Sequence, residues 1–297
     1  MKRTFLSLML LCHVLAGFSS CKKGTTITHK ENEKVNPPVD APQQQGAVLS
    51  ATGSKDTYAL INSVFGGKGD VVEAPDCAHP DFGKHIREVY DDDLKKYVFA
   101  FYLHKSPDND RCNGKTDRQR NEIKTYNQSP DSLIAHNGEH FTYKWKFKLD
   151  AGFQPSPGFT HIHQIKPGDG DADMPMITLT ARYKKSGDQL ELIHTGGSDV
   201  NTSLGKVASV DLAPFKGSWV EVTENVTFGG TGKYEIIIKS VDKQDVLLSY
   251  SSSSVDLWRS QTTFCRPKWG MYRSLLYPEY LRDEEIRFAD FQIIKNK

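Results

Sequence analysis

The sequence predicts an all-β protein built as one sandwich or jelly roll, and three observations carry that prediction. From residue 75 onward, short segments that alternate apolar and polar residues or are rich in Val, Ile, Thr and aromatics recur between turn residues. Long amphipathic helical patterns are absent, with only a short helical turn expected at 131–135. Roughly 220 residues of such strands fit one domain, and no repeat of solenoid or propeller length is visible.

The chain opens with the basic Met1-Lys2-Arg3 and an apolar stretch from Phe5 to Phe18 that is too short to span a bilayer. Residues 1–20 therefore read as a secretory signal. Phe18-Ser19-Ser20-Cys21 resembles a bacterial lipoprotein box, in which Cys21 is lipidated after cleavage; an ordinary cleavable signal is the alternative. Residues 21–54, rich in Lys, Thr, Asn, Gln and Pro, cannot bury a core and read as a flexible tether, followed by an ill-defined lead-in at 55–74. The expected location is the bacterial cell envelope, as a lipoprotein, or the medium; the only expected membrane contact is the lipid.

Losing Lys2 and Arg3 leaves 36 basic residues against 37 acidic ones, a formal charge of −1. An overall field that weak argues against a general nucleic-acid binder, and attraction to a polyanion has to come from a local basic groove. Strands are expected at 97–104, 140–149, 177–183, 189–194, 219–223, 234–241, 246–250 and 286–294. In the second of these, Lys144, Lys146 and Lys148 alternate with aromatics, reading either as a groove wall or as a solvated outer sheet face.

Three further strands carry chemistry. Lys268-Trp269-Gly270-Met271-Tyr272 sets an ammonium and a phenol on one face with only a glycine between them, and Trp269 and Met271 on the other. Arg118, Arg120, Glu122 and Lys124 share a face of an earlier strand, and His161 and His163 alternate in Thr160-His161-Ile162-His163-Gln164-Ile165. Singly, each reads as well as a wet or packed strand; together they gather cations, imidazoles and a phenol.

These three segments resemble the strand motifs of the jelly-roll polysaccharide lyases, which include alginate lyases, glucuronan lyases and heparin lyase I. Those enzymes carry Arg-x-Glu-(Leu/Val)-Arg, Gln-(Ile/Val)-His and Lys-x-Gly-x-Tyr. Arg120-Asn121-Glu122-Ile123-Lys124 matches the first with lysine in the last place, and His161-Ile162-His163 the second with His161 where glutamine is usual. Lys268-Trp269-Gly270-Met271-Tyr272 matches the third in full and is followed by Arg273. The order and separation of the motifs agree too, so the resemblance spans residues 75–297.

It implies a jelly-roll sandwich of two antiparallel sheets with a concave groove, and a monomeric enzyme that cleaves an acidic polysaccharide by β-elimination. A base takes the proton beside a uronate carboxylate, and the bond to the glycosidic oxygen breaks. By this resemblance Arg120 stabilises charge on the carboxylate, His163 is the base and Tyr272 the acid, although the tyrosine performs both tasks in some relatives. His161, Lys268, Glu122, Lys124 and Arg273 are the expected substrate-binding or orienting side chains, and no cofactor is required. A lectin-like binding module on the same sandwich is the alternative. A sandwich glycoside hydrolase is less consistent, because the alternating Glu-x-Asp-x-Glu signature is missing.

Of the cysteines beyond Cys21, Cys77, Cys112 and Cys265 cannot all pair; Cys77 with Cys112 is the preferred pair, leaving Cys265 buried and free. There is no Cys-x-x-Cys, and His161 and His163 lack a third ligand nearby, so no zinc array is expected. The loop 168–173 offers Asp169, Asp171 and Asp173 as weak candidates for Ca²⁺, without the later bidentate Glu of a full calcium loop.

Overall fold

A computed structural model describes residues 45–197 and 201–297; the signal, Cys21 and most of the expected tether lie outside them. Two antiparallel sheets stack on each other. One contains, in order, β13 (Val246–Val255), β12 (Gly232–Ser240), β11 (Val220–Thr227), β6 (His140–Leu149), β15 (Glu284–Asn296), β4 (Lys96–Leu103) and β3 (Ile86–Asp91). An eighth strand, β1 (Gln45–Leu49), pairs with the far half of β15. The other sheet runs β10 (Gly205–Asp211), β9 (Gln189–His194), β8 (Ile177–Arg182), β7 (Thr160–Pro167), β14 (Cys265–Ser274), β5 (Arg118–Lys124) and β2 (Val72–Glu73).

Alternation explains the layers. On β6, Phe141, Tyr143, Trp145, Phe147 and Leu149 are all buried, and they face Trp269 and Met271 of β14 across the core. Trp145 and Trp269 meet edge to face at 5.9 Å, a geometry favoured by the ring quadrupoles. The lysines of β6 point the other way, where Lys146 pairs with Asp290 at 2.9 Å and Lys148 with Asp91 at 2.8 Å. They belong to a solvated outer face and do not line the basic groove of the other sheet.

The N-terminal boundary differs from the sequence reading. Residues 45–49, assigned there to the tether, form β1, and Leu49 is fully buried. The glutamine and proline run just before it hides a strand of only five residues. A helix, α1 (Thr57–Phe65), follows, capped by the Asp56 carboxylate on the Ala59 N–H and stopped by Gly66 in the left-handed region. Ile61 and Phe65 anchor it to the core, so the lead-in is structured.

Cys77 and Cys112 form the disulfide, 35 residues apart, and Cys265 is free and buried. Burial pushes the Cys265 thiol well above its ordinary range, which keeps it inert. Closing a loop of that length stabilises the fold by about 3–4 kcal/mol through the unfolded chain. Reduction should lower the urea midpoint accordingly, measured on matched oxidised and reduced samples.

One polar tie crosses the core. His163 on β7 donates through Nδ1 to the Lys268 carbonyl on β14 at 2.8 Å, while its Nε2 lies 2.9 Å from Glu224 Oε2 on β11 of the opposite sheet. Tyr234 completes it, donating to Glu224 Oε1 at 2.6 Å. Every member is buried and partnered, which such a network requires in an apolar interior.

Candidate active site

The outer face of the β7–β14–β5 layer carries a groove of about 520 Å³. β5 and β14 pair in register over this stretch, Arg120 opposite Tyr272, Glu122 opposite Gly270 and Lys124 opposite Lys268. Arg120, Lys124, Lys268 and Tyr272 therefore look into one space, as the alternation predicts. Gly270 allows the strands to close there. Its φ is +143°, and a Cβ would lie 2.2 Å from the Asn121 carbonyl oxygen.

Tyr272 gathers charged and aromatic neighbours in the groove. Arg118 Nη1 donates to its phenolic oxygen at 2.7 Å, and the Arg120 guanidinium lies 3.9 Å from its ring centroid. Phe159 and His161 flank the ring at 5.1 and 5.8 Å between centroids. His161 is half-buried, with Nδ1 2.8 Å from Thr180 Oγ1, and Thr180 in turn donates to Thr178. In that chain Nδ1 of His161 carries the proton and Nε2 keeps its lone pair. Burial pushes this imidazole down to about 3, helped by Arg182, Arg120 and Lys268 against the pull of Glu122, so it is neutral at ordinary pH.

Beside the phenol lies a charge network. Glu122, fully buried, accepts from Arg120 at 2.9 Å, Lys268 at 2.7 Å and Gln164. Glu73 on β2 receives Lys268 at 2.5 Å, Lys124 at 2.7 Å, Arg111 at 2.5 Å and Arg120 at 3.3 Å. The four cations hold Glu73 ionised, well below the usual carboxylate range, although burial opposes them. Eight basic side chains line the groove against Glu73 and Asp173. A chain with little net charge thus concentrates positive potential in one place.

Several expected residues sit elsewhere. His163 does not line the groove: β7 carries a bulge between His161 and His163, where one extra residue turns the strand over. His161, Gln164 and Lys166 then face the groove, and His163 packs 4.4 Å from Trp145 in the core. Arg273 is buried with Trp269 and Met271 on the inner face, donating to Gln119 and to the Arg282 carbonyl, both at 2.8 Å. Lys268 reaches the groove but is 1% exposed and held by two carboxylates, so it organises the floor and has no free ammonium for a substrate. Glu122 and Lys124 are likewise engaged, the latter with Glu73.

The loop carboxylates do not converge. Asp169 accepts from the Thr263 backbone at 2.7 Å, Asp171 pairs with Arg259 at 3.4 Å, and Asp173 lines the groove rim. The sequence reading missed Gln164, Lys166, Arg111, Arg266 and Glu73, and left Arg118 outside its site although it shares the face of Arg120. Alternation would have recovered Arg118; Glu73 lies on a strand of two residues and leaves no pattern.

No protein-family model and no curated protein sequence matches the chain. Among solved structures it is similar to an endo-β-1,4-glucuronan lyase from the fungus Trichoderma reesei, at 16% identity and a TM-score of 0.50 over 71% of this chain and 87% of that one. It is similar to alginate lyase A1-II′ of polysaccharide lyase family 7, at 15% identity and a TM-score of 0.51 over 76% and 94%. A third likeness is alginate lyase Aly36B, at 9% identity and a TM-score of 0.52 over 84% and 96%. With two stacked antiparallel sheets and a groove on one of them, the chain has the jelly-roll fold of the polysaccharide lyases.

Proposed function

We propose that this protein is a polysaccharide lyase that cleaves a uronic-acid polymer by β-elimination. The observation that carries the reading is Tyr272 itself: a phenol in a cationic groove, with one guanidinium on its oxygen, another across its ring and a neutral imidazole beside it. The proton next to a uronate carboxylate is a poor acid until charge on that carboxylate is offset. Arg120 supplies the offset: its Nε and Nη1 are bound to Asp110, Glu73 and Glu122, and Nη2 has no hydrogen bond among the described residues. Nε2 of His161 accepts the C5 proton, and Tyr272 protonates the leaving glycosidic oxygen, the resulting phenolate being stabilised by Arg118. His161 takes the role that the sequence alone gave to His163. The disulfide supports an exported protein, with Cys21 as its lipid anchor in the envelope.

The test is ultraviolet absorbance of unsaturated uronate ends, followed on alginate, glucuronan and glycosaminoglycans. A rise on one polymer, lost in His161→Ala, supports the reading. Retention of polymer without any rise would instead favour a binding module. His163→Ala should lower the melting temperature, because Glu224 Oε2 loses its partner, yet in the same assay leave turnover per folded molecule within about threefold.

Lys166 gives a pH signature. Burial among Lys268, Arg120 and Arg266 pushes its ammonium down to about 7, so in the empty groove it loses its charge as pH rises through neutrality. KM for an anionic polymer should therefore rise from pH 6 to 8, and Lys166→Met should flatten that dependence.

A further inference from the structure

We propose that His79, His85, His104 and Asp108 bind a single zinc-class divalent ion that clamps one wall of the groove. One ligand atom from each lies within 4.8 Å of the others, and no other group of three or more His, Cys, Asp or Glu does so among the described residues. Asp108 Oδ1 is 3.2 Å from His79 Nδ1 and 3.1 Å from His85 Nε2, and Oδ2 is 3.1 Å from His104 Nδ1. A tetrahedral ion about 2.0–2.1 Å from N and O ligands has ligand-to-ligand edges of about 3.3 Å. The three contacts to Asp108, two on Oδ1 and one on Oδ2, lie near that figure, and the remaining separations stay within 4.8 Å.

The surroundings are those of a metal centre. Nδ1 of His85 lies 2.8 Å from Asp76 Oδ1, the outer carboxylate that aims the opposite nitrogen, Nε2, at the cluster. Asp76 is itself fixed by the Tyr58 hydroxyl at 2.9 Å. The rings meet edge to face, His79 on His104 at 83° and His85 on His104 at 75°, so their nitrogens converge while their planes do not stack. Phe82 seals one side, 4.2 Å from His104 and 4.8 Å from His85 between centroids. Three imidazoles and one carboxylate suit zinc and not calcium, which requires more oxygens. Four protein ligands close the coordination sphere, so the ion has a structural role.

Its role follows from where Asp108 leads. Two residues on, Asp110 accepts from Arg120 Nε at 2.9 Å, and Arg111 lines the groove. The ion would hold this loop to the paired ends of β3 and β4, where His85 and His104 meet. No sequence motif announces the site, because four ligands spread over 30 positions are gathered only by that pairing.

The experiment uses the untagged mature chain, stripped with chelator and titrated with Zn²⁺ against a chromophoric competitor, then with Co²⁺ while its visible spectrum is read. The expected result is one equivalent bound, a tetrahedral Co²⁺ spectrum, and affinity lower by about 100-fold or more in His79→Ala and by about 10–100-fold in Asp76→Asn. Folded, disulfide-bonded wild type that takes up no Zn²⁺ overturns the proposal, as does a Co²⁺ spectrum unchanged in His79→Ala. The wild-type titration decides even where a variant does not fold.

Discussion

Tyr272→Phe is expected to lower kcat on the responsive polymer by about 10³–10⁴-fold, with affinity for that polymer changed only a few-fold. The substitution removes one oxygen and leaves the ring, so Phe159, His161 and the Arg120 guanidinium keep their packing partner. What disappears is the proton donor and the acceptor of the Arg118 hydrogen bond. Arg118 is partly exposed and retains Asp117, so it is not stranded, and the melting temperature should hold. A split between lost turnover and kept binding distinguishes proton transfer from scaffolding. If kcat survived, the phenol would be a binding surface, and the reading of the groove as a lyase site would fall with it.

The second large effect is expected from Gly270→Ala, at about 3–5 kcal/mol of stability, because two independent costs coincide. The backbone at φ +143° is strained for any residue with a Cβ, and the added methyl would lie 2.2 Å from the Asn121 carbonyl and 2.6 Å from Glu122 Cα. Backbone cannot rotate away as a side chain can. β5 and β14 would have to separate where Arg120 faces Tyr272. Denaturant unfolding should show the loss. The fraction that folds should also turn over about 100-fold more slowly, since shifts near 1 Å at reacting groups cost that much.

Most of the sandwich was legible in the sequence because many of its strands alternate or are rich in β-branched and aromatic residues and its turns are marked; β6 and β9 match their expected bounds to the residue. Three carriers of the groove, Arg120, His161 and Tyr272, were legible for the same reason. His163 was not, because a bulge is a matter of one residue and no residue type announces it. Arg273 is a different case: the period-two rule that buried Trp269 and Met271 also buries Arg273, and only its position beside a chemical motif drew it to the groove. The engagement of Lys268 and Lys124 by Glu73 depends on a two-residue strand that forms only once β5 is in place. Short edge strands and long-range ion pairs have no local signature, so they become visible in three dimensions alone.

The histidine that left the groove has a consequence for how this chain tolerates change over time. His163, Glu224 and Tyr234 are donors and acceptors to one another across two sheets and are buried away from solvent. Replacing one leaves the next unsatisfied, whereas replacing all three with apolar residues of similar volume leaves none of their side-chain groups unpaired and removes only the His163 donor from the Lys268 carbonyl. The trio should therefore be inherited as a unit: single replacements purged, concerted apolar replacements accepted, and intermediate combinations seldom encountered among descendants of this chain.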